Sequence, residues 1–459
     1  MKASKFPDSL VLIFGMILAA QLLSYVLPAG AYGRVLVGEA GHQREQVAAG
    51  TFHEVKAAPL PAFAFLTAIP RGMAAAADII FFVFIVGGAI GVIRATGAID
   101  ALISTAIRKF GDSPTLLVAG TMTLFALGSS TIGMAEEYMP FIPILVAMCL
   151  ALKMDAIVAL GLVYVGAGIG YGCAALNPFT VVIAQRIAGL PLYSGQLVRW
   201  SMFVVCLAVG IHHLLRYAGR VAKDPQLSLV SDVDYTVGFD APQETPLSPP
   251  RTAILVCFAA AIGLFVFGVA RWDWFLTELG AVFLGLMALS AVLGGLGPNR
   301  VAREFGSGAA ELTSAALIIG FARSIEVVLD DASIKDTIIH GIAGGLEDLP
   351  AVLSASAMLL VQSVFNFFIP SGSGQAYVTM PIMAPLADLT GVSRQTAVLA
   401  YQLGDGFTNT IVPTNALLMG MLALGRVPYP RWARFIVPLL LKLYAIATAA
   451  LILAVIMEY

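Results

Sequence analysis

Charge is what this sequence has least of. Its 459 residues include 26 Lys/Arg and 28 Asp/Glu, or 12% of the chain, against about a quarter in a soluble domain. That scarcity excludes an ordinary water-soluble fold, and a formal net charge of −2 leaves no basic face for nucleic acid. Cysteine is also rare. Cys149, Cys173, Cys206 and Cys257 each lie inside an apolar run, with no CxxC pair and no His/Cys metal spacing, so they read as small core residues. Alternating strands of about ten residues, the mark of a membrane barrel, are missing. No nucleophile–base set or zincin motif occurs, and "FGSGAAE" (305–311) lacks the Lys-Ser/Thr of a phosphate loop, so no enzyme is expected.

What remains is apolar: 59% of residues are hydrophobic and the mean hydropathy is +0.89. Runs of roughly 20 apolar residues match a hydrocarbon core of about 30 Å, and in lipid the unpaired backbone leaves helices as the solution. The chain is therefore expected to be an all-α integral membrane protein with about eleven hydrophobic transmembrane segments, near 9–28, 76–95, 113–128, 155–175, 199–219, 252–270, 274–297, 311–330, 350–368, 394–412 and 432–456. Two of these, 113–128 and 350–368, run into polar tips and read as arms of re-entrant hairpins. The first run, 9–28, follows Lys2 and Lys5 and is too long for a typical signal core, so it reads as a retained span. Segments 60–73 and 297–308 look like interfacial helices or elbows. Residues 30–58 read as an extramembrane loop with a β-ribbon, and the Pro-rich 220–251 as a linker. Basic residues, among them Lys2, Lys5, Arg220, Lys223, Arg251 and Arg431, gather on one side, which puts the N-terminus and linker in the cytoplasm and the C-terminus outside.

An internal likeness organises these segments. "SSTIGMAEEYMP" (129–140) pairs without gaps with "PSGSGQAYVTMP" (370–381), so that Ser130, Gly133, Ala135, Met139 and Pro140 recur as Ser371, Gly374, Ala376, Met380 and Pro381. Chance would match about one position of the twelve. "LNPFT" (176–180) then faces "VPTNA" (412–416), and "VRWSMFVV" (198–205) faces "PRWARFIV" (430–437). An odd helix, 252–273, separates the halves 1–219 and 274–459, so the second copy enters from the opposite face. Such an inverted-topology repeat is found in secondary transporters. Its units are a hairpin at 113–152 with a broken helix at 155–190, and a hairpin at 350–391 with a broken helix at 394–425.

Non-helical backbone at membrane depth must be buried or line a watery cavity. Helix N-termini at both polar tips would suit a carboxylate. A substrate site is expected from Ser129, Ser130, Thr131, Glu136, Glu137, Asn177, Ser371, Gly372, Ser373, Gly374 and Asn415. Oxygens of Ser130, Asn177, Ser373, Asp405, Thr408, Asn409 and Thr414, with carbonyls freed at Pro178 and Pro413, could coordinate Na⁺. The bland reading of each hydroxyl is a bond to its own helix. Glu136 and Glu137 face Tyr377 and Val378 in the second copy, so backbone symmetry does not require them. An intramembrane carboxylate marks a pathway, a proton relay or a ligand counter-charge. The alternative is a structural pair with Lys153 or Arg394. Asp405 in "YQLGDGFTNTIVPTN" suits cation binding or protonation, against a capping role. Arg323, Glu326, Asp330 and Asp331 could lock a moving part to a frame, and His212 and His213 read as residues at a span end.

"LPAGAYGRV…AAGTFHEV", "GSSTIGMAEEYMPFIPILVA", "NPFTVVIAQRIAGLP", "FFIPSGSGQAYVTMPIMAPLADLTGVSRQ" and "YQLGDGFTNTIVPTN" resemble the YfcC family, a branch of the anaerobic C4-dicarboxylate carrier group in the ion transporter superfamily. The resemblance spans nearly the whole chain. It implies an elevator-type transporter, with a transport domain sliding against a scaffold domain, usually in a homodimer of the cell inner membrane. It also implies small carboxylate-bearing substrates: dicarboxylates, or basic amino acids as in arginine/ornithine exchange, with Na⁺ or H⁺ as possible coupling ions. Glu136 and Glu137 favour an amino acid, because a dianion sits badly beside ionised carboxylates. If they are protonated or paired, the C4-dicarboxylate reading stands. An ion channel is the alternative from another class, and paired dead-end hairpins disfavour it.

Overall fold

Proline and asparagine interrupt the long apolar stretches of this chain; in the computed structural model the breaks around Asn177 and Pro413 end helices, whereas Pro70, Pro381, Pro385 and Pro438 lie inside them. The structure describes all residues except 1–8, 38–43, 49, 57–58, 111–112, 132, 178, 236–244, 273, 275 and 345–348. Helix α1 (Ser9–Ser24) leads into two short antiparallel strand pairs. In these, β1 (Gly30–Ala31) pairs with β4 (His53–Glu54), and β2 (Arg34–Val37) with β3 (Arg44–Val47). The ribbon expected within 30–58 is therefore present. Then come α2 (Ala64–Ala75), α3 (Ala77–Ala95), α4 (Ala98–Phe110) and α5 (Pro114–Thr131). A single 3-10 turn, Glu136–Tyr138, precedes α6 (Phe141–Ala151). Helices α7 (Ala156–Leu160) and α8 (Gly166–Gly172) are joined by a π-helical turn, Gly161–Val165, and a break separates them from α9 (Val181–Ile187).

The chain continues through α10 (Gln196–Lys223), α11 (Pro249–Trp272), α12 (Leu276–Leu293), α13 (Pro298–Glu311), α14 (Thr313–Asp331) and α15 (Lys335–Ala343). The second hairpin is α16 (Ala351–Phe368) and α17 (Gly372–Leu389). Helix α18 (Arg394–Thr408), a break, α19 (Ala416–Leu424) and α20 (Tyr429–Ile456) complete the chain. The fold is nearly all helical and built of apolar helices, and each of the eleven apolar runs has a helix in it. Among the described residues, five helices are long and apolar enough to cross a membrane alone: α3, α10, α12, α16 and α20. A sixth arises if Pro298–Glu311 and Ala316–Asp331, bent by 43°, form one span. Of the remaining runs, α5, α11 and α14 are helices of 18, 24 and 19 residues, while those at 9–28, 155–175 and 394–412 hold shorter helices.

The last helices of the two halves, α10 and α20, are each 28 residues long, about 42 Å of rise. They lie antiparallel. Arg199 near the start of α10 donates to the Tyr459 hydroxyl (3.2 Å), and His213 lies 3.2 Å from the Phe435 carbonyl. The hairpins are rooted at opposite ends of this pair. Asp155, which follows the first hairpin and caps α7, accepts from Tyr217 (2.6 Å) and Ser228 (2.6 Å) near the end of α10. Ser393, which follows the second hairpin and caps α18, donates to the Tyr459 carbonyl, while Gln395 donates to Ser194 Oγ (3.1 Å) just before α10.

Of the linker expected at 220–251, residues 236–244 lie outside the described residues, and the part before them is anchored. Helix α10 runs on through Lys223, and Val230 is buried. Arg431 holds both the Leu229 carbonyl (2.5 Å) and Asp232 (2.8 Å). The segments expected as elbows also pack into the bundle: α2 lies on α14, and α13 on α3. At the α3–α13 seam, a Cβ on Gly308 would sit 2.3 Å from the Gly87 carbonyl oxygen, so only small residues allow that approach. The ribbon is clamped to α15. Phe52 stacks on His340 with centroids 4.0 Å apart, and Asp336 accepts from Arg34 (2.8 Å) and the Tyr32 amide (3.0 Å). Burial, and then the nearby Asp336, pushes the Tyr32 hydroxyl up to about 12.

Candidate functional site

The first polar tip closes a helix rather than opening one. Helix α5 continues through Thr131, and the amides of Gly133 (3.0 Å) and Met134 (3.5 Å) return to the Gly128 carbonyl. Gly133 has φ +85°, the left-handed geometry of a helix C-terminus. A Cβ there would also lie 2.8 Å from Asn177 Oδ1. The helix N-terminus expected at "SSTIG" is thus corrected: that tip presents carbonyls, because glycine at this place stops propagation. The second tip does open a helix. Ser371 caps α17, its hydroxyl accepting from the Gly374 amide (3.4 Å).

Each tip is tied to the broken helix beside it. Asn177 donates to the Ser129 carbonyl (2.9 Å), and the Leu176 amide to the Ser130 carbonyl (3.1 Å). In the second half Thr414 donates to the Phe367 carbonyl (2.8 Å). A tyrosine on each broken helix reaches a glycine carbonyl at its tip: Tyr171 to Gly133 (2.5 Å) and Tyr401 to Gly372 (2.6 Å). The two broken helices cross antiparallel, with Gly168 against Thr410 and Gly172 against Phe407. Gly406 lies so close that a Cβ would sit 2.1 Å from the Gly172 nitrogen.

These pieces surround a cavity of about 690 Å³. Lining it are the first tip with Glu136, the second tip from Pro370 to Ser373, and the breaks with Phe179, Thr180, Asn409, Thr414 and Asn415. The rest of the lining comes from α3 with Asp78, from α14 with Arg323 and Glu326, and from Trp274 and Leu276 where α12 begins. Of the substrate-site candidates, Glu136, Ser371, Gly372, Ser373 and Asn415 line this one cavity. Ser129, Ser130 and Asn177 are fully buried behind them, holding the first tip to its break. Thr131 bonds its own helix at Leu127 (2.7 Å). Gly374 follows the lining glycine of the second tip. Glu137 lies in the 3-10 turn; its side chain, like residue 178, is outside the described residues. Arg394 pairs with Asp388 (2.7 Å), not with the glutamates. Among the described residues no basic side chain lies within ion-pairing distance of Glu136.

Of the candidate cation ligands, Ser130 and Asn177 belong to the first half, and Ser373, Asp405, Thr408, Asn409 and Thr414 to the second. Thr408 contacts the Tyr444 hydroxyl (2.5 Å), which also meets Ser363 (2.5 Å). Asp405 is completely buried, its Oδ1 accepting from Asn366 (2.8 Å) and Asn409 (3.0 Å). Its Oδ2 has no partner, nor do Asn366 Oδ1 and Gln402 Oε1. A Cβ on Gly372 would sit 3.1 Å from that Oδ2, so the tip glycine leaves the oxygen room. Buried unpaired oxygens around a carboxylate suit a proton or a hard cation. Asn366, Gln402 and the wall residues Asp78 and Trp274 were not singled out in the sequence, because they lie in ordinary apolar or helix-start contexts.

The family model "C4-dicarboxylate anaerobic carrier" (DcuC) matches residues 6–456. The chain is 33% identical over 492 residues to an Escherichia coli (strain K12) protein, YfcC, provisionally named a basic amino acid antiporter; the match covers 99% of this chain and 97% of that one. It is 29% identical over 498 residues to an uncharacterized protein of Haemophilus influenzae, covering 99% and 98% of the two. A crystal structure of the Alcanivorax borkumensis YdaH transporter aligns at a TM-score of 0.43 and 17% identity, over 99% of each chain, a likeness too slight to carry weight.

Proposed function

Because this chain belongs to the C4-dicarboxylate anaerobic carrier family, we propose that it is a secondary active transporter of a small carboxylate-bearing metabolite, an amino acid, and within that class a basic one. The carboxylate of Glu136 in the cavity, with no basic partner among the described residues, carries this reading. Asp78 and Glu326 also line the cavity, against Arg323 as the one lining cation among the described residues, so the lining is acidic on balance, which favours a solute with an amino or guanidinium group. The relative's name, a basic amino acid antiporter, points the same way. A C4-dicarboxylate is the second reading, favoured by Arg323 and by the α17 N-terminus at the cavity.

The movement proposed is an elevator. The two hairpins and broken helices form the transport domain and slide along a scaffold that includes α3, α12 and α14, within a homodimer of the cell inner membrane. Hairpins rooted at opposite ends of α10 and α20, and broken helices that cross antiparallel, support an inverted repeat. The charge asymmetry supports a cytoplasmic N-terminus and linker with the C-terminus outside. Na⁺ or H⁺ at Asp405 would couple transport, or the protein would exchange one solute for another. Purified protein should be screened by thermal shift against amino acids and C4-dicarboxylates, with and without Na⁺, then tested by counterflow in liposomes. Stabilisation and counterflow by basic amino acids support the first reading; response to dicarboxylates alone selects the second, and response to neither overturns both.

A further inference from the structure

The cavity's basic residue is not on the hairpins. Among the described lining residues Arg323 is the one cation, and it stands on α14. We propose that Arg323 reads the carboxylate of the transported solute and that Glu326 positions it. This rests on the reading of the cavity as the transport site.

The ion pairs around Arg323 make it recruitable. Arg323 pairs with Glu326 one turn along the same helix, and its side chain keeps 42% of its exposure. Glu326 has a second cation, Lys335, at 3.2 Å, and Lys335 in turn holds Asp330 at 2.6 Å. Lys335 is only 16% exposed. If Arg323 turns to a carboxylate in the cavity, Glu326 keeps Lys335 and no acid is left unpaired. Arg323 is the partly exposed side of this pair, and Glu326, largely buried, retains Lys335, so giving up the intrahelical contact is cheap. The planar guanidinium then offers two parallel donors to a carboxylate, which a lysine at the same place could not. The α17 N-terminus also faces the cavity and supplies a residual anion site, so losing Arg323 should weaken recognition of the carboxylate without abolishing binding.

The test uses full-length purified protein and three probes: L-arginine, its carboxylate-free analogue agmatine, and succinate. For Arg323→Gln, affinity for the carboxylate-bearing probe that the wild type binds should fall roughly tenfold or more, while agmatine binding stays within about twofold. Arg323→Lys, which keeps the charge and serves as the folding control, should lose less. Glu326→Gln releases Arg323 and should tighten the carboxylate probe by up to about fivefold, an outcome that a purely structural Glu326 would not produce. Wild-type protein that binds none of the probes overturns the cavity reading and the proposal with it. Wild-type protein that binds while Arg323→Gln weakens arginine and agmatine equally, or neither, overturns the role of Arg323 alone.

Discussion

Replacing Asp405 by asparagine removes the ionisable carboxyl from the interior and leaves its hydrogen bonds available. Oδ1 would still accept from Asn366 (2.8 Å) and Asn409 (3.0 Å), and the new amide nitrogen would occupy the place of the unpartnered Oδ2 beside Gly372. The fold should therefore persist, seen as an unchanged elution profile of the purified protein. Coupling should not. A contact to a charged ligand is worth about 1.5–3 kcal/mol, and at 1.4 kcal/mol per tenfold the apparent affinity for the coupling ion should drop roughly 10- to 150-fold. The assay is uptake into proteoliposomes, driven first by a Na⁺ or pH gradient and then by solute counterflow with no gradient. Asp405→Asn is expected to keep counterflow and lose gradient-driven accumulation. Wild-type Na⁺ and pH dependence in the variant would refute the assignment of the ion to this carboxylate.

Three further outcomes follow from the same geometry. Glu136→Gln should lower affinity for an amine-bearing solute by roughly tenfold without changing thermal stability, measured by binding titration beside a melting curve. Gly406→Ala should destabilise by about 1–3 kcal/mol or more, because its methyl would lie 2.1 Å from the Gly172 nitrogen; a wild-type melting temperature would contradict that crossing. Asn177→Ala removes bonds to the Ser129 carbonyl and the Phe179 amide, so the first tip should loosen at a cost of about 1–3 kcal/mol, read as faster proteolysis around residues 129–140.

Much of this architecture was legible because membrane helices announce themselves by composition, and because broken helices need Pro, Gly and Asn. The ribbon, both interrupted helices and the cavity positions of Glu136, Ser371, Gly372, Ser373 and Asn415 could be read that way. The end of α5 could not. A Ser/Gly-rich tip can begin or end a helix, and the decision fell to Gly133, whose positive φ and contact with Asn177 depend on the neighbouring break. Met139 and Pro140 recur as Met380 and Pro381, yet Pro140 caps α6 whereas Pro381 lies inside α17, so matching residues take different local forms. Partners distant in sequence were equally hidden. Asn366 looks like an ordinary polar residue of an apolar helix until it meets Asp405, and Arg323 belongs to the site only because α14 lines the cavity.

The central claim is that the cavity between the tips and the α3–α12–α14 wall opens alternately to both sides of the membrane. Its most direct measurement uses a single cysteine at Ser373, with Cys149, Cys173, Cys206 and Cys257 replaced, labelled by a membrane-impermeant maleimide in right-side-out and in inverted vesicles. Labelling from both sides, with solute and ion shifting the balance between them, is the result predicted. Reaction from one side only, whatever solute or ion is present, would contradict it.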